Sequence, residues 1–102
     1  MNIPARYEQR ELHALDQEKC KQLVEESLKK LPWKEIGYLK DAYDYKTFGS
    51  MLTYGERIRI YVGKTEILVI SECLFPAQFI DFGKNKKNVK SFFDIFEQAK
   101  AN

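Results

Sequence analysis

Two apolar runs decide the fold of this chain, Arg57-Ile58-Arg59-Ile60-Tyr61-Val62 and Glu66-Ile67-Leu68-Val69-Ile70-Ser71. The first run alternates charged or amphipathic residues with aliphatic ones at a period of two, which is typical of a strand with one buried face. The second run is nearly unbroken and rich in β-branched residues, so we expect it to be the more central strand. Gly63-Lys64 between them predicts a tight hairpin loop, because glycine adopts positive φ without a Cβ penalty.

A hairpin alone is marginal in water, so helices must cover its apolar face. A helix is predicted from Asp16, a favourable N-cap, to Leu31, where Pro32 ends it. A second helix is predicted to begin at Asn88 as its cap. The apolar stripes recur at helical spacing, in the first helix Cys20, Leu23, Val24, Ser27, Leu28 and Leu31, and in the second Val89, Phe92, Phe93, Phe96 and Ala99.

Between the first helix and the hairpin, the pattern predicts two further strands. They cover residues 33–39 and 45–53, with a turn at residues 41–44 and a bulge at Gly49. Residues 74–88 read as a loop followed by a short edge strand at 78–82. The predicted fold is α+β: a helix, a four-stranded antiparallel meander and a C-terminal helix, with both helices on one face. Residues 1–15 are expected to form an arm or a loosely helical lead-in, and residues 16–102 a single domain.

Composition and charge exclude some classes of function for this protein. A chain of 102 residues with 44% hydrophobic residues suits one domain with a real core. The net charge is +2, and residues 83–102 alone carry five basic and two acidic side chains. That distribution argues against a general nucleic-acid binder, which needs a whole basic face. Without a secretory signal or a membrane-spanning apolar run, we expect a cytoplasmic protein or the soluble part of a larger, membrane-associated one.

Catalytic and metal motifs are missing from the pattern. Gly63-Lys64-Thr65 lacks the upstream glycine of a phosphate-binding loop, since Ile58 occupies that position. His13 is the single histidine, and Cys20 and Cys73 have no metal-type spacing, so both thiols are expected to be buried or half-buried. We therefore expect no enzyme, no metal site and no cofactor. A small hydrolase or transferase would require His13 beside a serine or cysteine in a cleft.

The most informative polar stretch is Asp81-Phe82-Gly83-Lys84-Asn85-Lys86-Lys87-Asn88. Lysines ahead of a helix oppose its dipole, so a sequence chosen only for stability would favour acidic residues there. One interpretation is an anion site for a phosphate, an acidic peptide or a headgroup, using the N–H groups of Val89 and Lys90. The other is a solvated basic turn, with Gly83 and Asn85 adopting positive φ. The candidate binding residues are Lys84, Asn85, Lys86, Lys87, Asn88 and Lys90.

A second polar feature is the outward row of Arg57, Arg59 and Tyr61 on the first strand of the hairpin. Charged side chains on an exposed strand discourage pairing with another sheet. The row is therefore expected to protect a sheet edge.

The block from residue 54 to Val89, with its glycine-lysine-asparagine turn at 81–88, resembles a family of small uncharacterised bacterial α+β domains. Some of these are similar to soluble parts of membrane proteins, including rhomboid-type ones. The resemblance implies a non-enzymatic accessory domain at the cytoplasmic face of a membrane.

These observations predict a non-catalytic interaction or regulatory domain with a protein partner. The alternative is a small module that binds an anion or a phospholipid headgroup through residues 84–87, resembling bacterial pleckstrin-homology-like domains in its order of strands then helix.

Overall fold

The structure is a computed structural model that describes residues 5–49, 55–75 and 83–102. Within them the chain forms five strands and two helices. In chain order these are β1 (Arg6–Leu12), α1 (Gln17–Lys29), β2 (Lys34–Leu39), β3 (Ala42–Lys46), β4 (Glu56–Val62), β5 (Glu66–Cys73) and α2 (Lys84–Ala101). The α+β class with an antiparallel sheet is confirmed.

The sheet has the strand order β1-β5-β4-β3-β2, and every neighbouring pair is antiparallel. The expected four-stranded meander is β2 to β5, but residues 6–12, expected in an arm, add a fifth strand at the edge beside β5. The first helix therefore lies between β1 and β2 instead of opening the domain. The expectation that β5 is the more central strand is wrong, because β4 occupies the middle position.

The β4–β5 hairpin is confirmed, with Val62 opposite Ile67 and the Gly63 N–H donating to the Glu66 carbonyl at 2.8 Å. The expectation that Gly63 is needed for a positive φ is wrong, because its φ is not positive. A Cβ built on Gly63 would lie 3.2 Å from the Glu66 carbonyl oxygen, so close approach of the two strands favours glycine here.

The β2–β3 hairpin turns at Lys40 and Asp41, whose φ angles are 54° and 63°. Positive φ at both central positions defines a type I′ turn, which matches the twist of the strands it joins. The turn predicted at residues 41–44 is thus displaced, because residues 42–44 already belong to β3. The strand predicted at 45–53 ends at Lys46, and its last four residues lie outside the described chain. Gly49 lies beyond the strand, and the observed register shift is in β2, between Glu35 and Gly37.

The core is one cluster between the helices and the inner face of the sheet, the face that carries Ile58, Ile60, Ile67 and Val69. Both predicted helical stripes contribute to the cluster, although α1 ends at Lys29, two residues before the predicted end at Leu31. Its buried members from the helices are Cys20, Val24, Leu28, Val89, Phe92, Phe93 and Phe96. Asp16 caps α1 as predicted, its carboxylate accepting from the Lys19 N–H at 3.3 Å.

Helix α2 begins at Lys84, one turn before the predicted start at Asn88. Its N-cap is Gly83, with φ of 76°, so the expected positive φ is correct for Gly83 and wrong for Asn85, which is helical. The predicted edge strand at residues 78–82 lies outside the described residues.

The outer face of the sheet carries paired charges. Arg57 forms a bidentate ion pair with the buried Asp44 of β3, and this bond raises the pKa of the Arg57 guanidinium. Arg59 pairs with Glu72 at 3.2 Å across β4 and β5. Because β4 is flanked by β3 and β5, the expectation that this row protects a sheet edge is wrong. The arginines instead connect neighbouring strands.

We expect the double substitution Lys40→Asn and Asp41→Gly to stabilise the protein by about 1 kcal/mol, because L-residues are strained in the left-handed region and Asn-Gly is the preferred type I′ pair. The free energy of unfolding from urea titration measures this change. The control is Lys64→Asn with Thr65→Gly, since neither of these residues has positive φ in the β4–β5 loop. Equal stabilisation by both pairs would contradict the interpretation.

Candidate functional site

The six residues predicted as a binding site divide between two sides of α2. Lys86, Lys87 and Lys90 are exposed, and Lys84 is half-buried. Asn85 is fully buried and Asn88 is only 4% exposed. Positions three apart share one face of a helix, so both asparagines point to the sheet once the helix begins at Lys84. The structure therefore brings together the asparagines, while three of the lysines face solvent.

The buried asparagines connect α2 to the sheet. The Asn88 amide donates to Glu56 Oε1 at 2.9 Å and to Ser71 Oγ at 3.2 Å. The Ser71 hydroxyl in turn donates to Asn85 Oδ1 at 2.8 Å. The Asn85 amide donates to the Ala5 carbonyl at 2.9 Å, which adds the segment before β1. We call the group Thr47, Glu56, Ser71, Asn85 and Asn88 the polar seam.

Glu56 lies at the centre of the polar seam and is fully buried. Its Oε1 also accepts from Thr47 Oγ1 at 2.8 Å, and its backbone N–H donates to that same hydroxyl at 2.9 Å. Its Oε2 is the one buried side-chain nitrogen or oxygen atom among the described residues that has no hydrogen-bond partner. A buried carboxyl is costly unless hydrogen-bonded, so the donors from Thr47 and Asn88 are essential to this arrangement.

A groove of about 240 Å³ lies over the seam. Thr47 and Asn88 connect it to Glu56, and Lys84 also lines it. Its aromatic members are Trp33 and Phe48, and the Phe48 side chain is 67% exposed. Of the lysines of the predicted site, Lys84 lines this groove.

The anion site does not form with the predicted backbone groups. Because α2 begins at Lys84, the N–H groups of Val89 and Lys90 lie inside the helix, where they bond to carbonyls four residues earlier. No acidic residue occupies the first turn of α2. None of its four lysines near the start forms an ion pair within the described ranges, whereas all four arginines of the chain do. Unpaired positive charge therefore collects at this end of α2.

His13 holds the β1–α1 connection against the β4–β5 loop. Its Nδ1 accepts from the Leu15 N–H at 3.2 Å, so Nε2 carries the proton and donates to the Gly63 carbonyl at 2.9 Å. The backbone N–H of His13 donates to the Thr65 carbonyl at 2.9 Å. Both ring nitrogens are thus engaged with the backbone, and no serine or cysteine is among these partners.

The two cysteines are buried, as predicted, and neither forms a disulfide. Burial raises the pKa of the Cys20 thiol, an effect partly offset by Lys100, and this favours the protonated thiol. In the part of the chain that the structure describes, no three His, Cys, Asp or Glu side chains gather as metal ligands would.

Comparisons of the chain with protein-family models, curated proteins and solved structures gave no match in any of the three. The resemblance to rhomboid-associated bacterial domains therefore stays a prediction. Within residues 5–49, 55–75 and 83–102, neither helix combines the length and apolar character needed to cross a bilayer.

We expect Asn88→Ala to destabilise the protein by about 1–3 kcal/mol, because it removes the hydrogen bonds that the Asn88 amide donates to the buried Glu56 carboxyl and to the Ser71 hydroxyl. Lys87→Ala, one position away and exposed, should change stability by less than about 0.5 kcal/mol. Chemical denaturation of both variants gives the comparison. Equal stabilities would show that the polar seam does not hold α2 in place.

Proposed function

We propose that this protein is a non-catalytic interaction domain that binds an acidic segment of a partner protein through Lys84, Lys86, Lys87 and Lys90. We call these four residues the lysine surface. The observation that supports the proposal is the clustering of these four lysines at the start of α2, where the first turn holds no acidic residue and none of the four forms an ion pair within the described residues.

The position of the lysine surface at a helix N-terminus favours binding of an acidic partner. A helix N-terminus carries a positive partial charge, so each exposed lysine there opposes the dipole by roughly a few tenths of a kcal/mol. The chain itself supplies no compensating acid in the first turn. A carboxylate-rich partner would relieve this repulsion and would meet unpaired ammonium groups on arrival.

The polar seam supports the same proposal by fixing the rotation of α2. With Asn85 and Asn88 hydrogen-bonded to the sheet, Lys86, Lys87 and Lys90 must face solvent. Half-buried Lys84 lies beside the exposed ring of Phe48 and could combine charge with apolar contact. The surface is thus presented by a rigid element, which limits the entropy lost on binding.

The test compares Lys86→Glu/Lys87→Glu/Lys90→Glu with a control triple of exposed lysines elsewhere, Lys19→Glu/Lys34→Glu/Lys64→Glu. Both variants change the net charge equally. The probe is a fluorescent oligoglutamate peptide, titrated at low and at physiological salt. We expect the first variant to lose at least about tenfold in affinity, or ~1.4 kcal/mol, and the control to lose much less.

Equal losses in the two variants would show that only net charge matters and would overturn the proposal. A parallel titration uses phosphatidylcholine vesicles with and without phosphatidylserine. Binding of the native protein to anionic vesicles but not to the peptide would replace the protein partner by a lipid headgroup, the alternative that the sequence leaves open.

A further inference from the structure

The two helices cover the inner face of the sheet unequally. Helix α2 packs on β1 and β5, and α1 packs on α2 and on β4. The inner face of β2 and β3 is therefore left as one wall of a groove whose other wall is α1. This groove has a volume of about 530 Å³, within the range of small-ligand sites. It is lined by Lys21, Glu25, Lys29, Glu35, Tyr38, Tyr43 and Tyr45.

The strand wall of this groove is aromatic. Tyr38 and Tyr43 meet edge to face with their centroids 4.9 Å apart. The Tyr43 hydroxyl donates to Glu25 Oε2 at 2.7 Å, which fixes the ring relative to α1. The Tyr45 hydroxyl has no hydrogen bond within the described part of the chain, so it is available to a ligand. Tyrosine rings attract cations to their faces, so the wall is suited to a positively charged group.

Two carboxylates line the groove without a cationic partner. Neither Glu25 nor Glu35 belongs to an ion pair in the described structure. The carboxylates also act on the tyrosine hydroxyls. Burial is the main cause that raises the pKa of Tyr45, and the negative charges of Glu35 and Glu25 raise it further. Burial and the bond to Glu25 raise the pKa of Tyr43 in the same way. The tyrosine wall is therefore bordered by two carboxylates that form no ion pair within the described structure.

The two lysines of the groove lie on the α1 wall. Lys21 is 3.8 Å from Glu18, an ion pair with a residue that is not part of the groove. Lys29 lies in the last turn of α1, where a cation interacts favourably with the helix dipole. Each lysine thus has an interaction away from the tyrosines, and both should oppose the entry of another cation.

We propose that this groove binds the guanidinium group of an arginine side chain from a basic peptide segment, stacked on the tyrosine wall between Glu25 and Glu35. A guanidinium is planar, weakly hydrated and able to donate to two carboxylates at once, whereas an ammonium is a compact, strongly hydrated charge. The proposal is independent of the lysine surface, which faces solvent on α2 and selects the opposite charge.

The experiment is an amide NMR titration of the native protein with N-acetyl-arginine amide and with its isosteric neutral analogue, N-acetyl-citrulline amide. We expect saturable shifts at Glu35, Tyr38, Tyr43 and Tyr45 with the arginine probe, and at least about tenfold weaker binding of citrulline. Glu25→Gln/Glu35→Gln should weaken the arginine probe by at least about tenfold. The control Glu26→Gln/Asp94→Asn removes two exposed carboxylates outside the groove and should stay within about twofold.

The double substitution Lys21→Gln/Lys29→Gln tests whether the groove prefers a positively charged ligand. Removing these charges should tighten arginine binding, and weaker binding would overturn the proposal. Equal binding of citrulline, equal binding of N-acetyl-lysine amide, or an equal loss in the control variant would each overturn it as well. Tighter binding of agmatine than of a Gly-Arg-Gly peptide would assign the groove to a small metabolite instead of a peptide.

Discussion

The hydrogen bonds between α2 and the buried carboxyl of Glu56 are the constraint on which the rest of this structure depends. A carboxyl with no exposure requires donors, and Asn88 and Thr47 supply them from α2 and from the segment after β3. Apolar packing of three phenylalanines would tolerate small rotations of α2, but directional bonds to Glu56 and Ser71 do not. The polar seam therefore determines which residues of α2 face the sheet and which face solvent.

The charge distribution of the surface follows from this constraint. On the outer face, the arginines of β4 form ion pairs with acidic residues of the neighbouring strands, Arg57 with Asp44 and Arg59 with Glu72. At the start of α2, Asn85 and Asn88 take inward positions, and the lysines between them have no acidic neighbour in the first turn. One motif thus combines two roles on opposite sides of a helix, attachment to the sheet and display of charge.

Much of this fold was predictable, and the failures have physical causes. Periodicity identified both helical stripes and the β4–β5 hairpin, because burial on one face imposes a repeat that the sequence retains. The predicted start of α2 at Asn88 was wrong. Asparagine is a favourable N-cap by local criteria, but the Asn88 amide donates to Glu56, a residue distant in sequence. The inward direction of Glu56 was readable, since it continues the period of Ile58 and Ile60. Strand β1 was missed because its pairing with β5 depends on register, which no local pattern of this polar edge strand shows.

The tyrosine groove could not be predicted for a related reason. Tyr38, Tyr43 and Tyr45 alternate as inward residues of adjacent strands, a pattern equally consistent with a covered core. Whether a helix covers them depends on where α1 crosses the sheet, and α1 must reach from the β1 edge to the β2 edge while packing on α2. The inner face is covered at Tyr43, which is 9% exposed, and open at Tyr38, which is 49% exposed. Such a boundary favours rings that end in a hydroxyl over aliphatic side chains, because tyrosine buries its ring and keeps its hydroxyl hydrogen-bonded or solvated. The same property that stabilises the uncovered strands therefore also supplies a surface for recognising a cation.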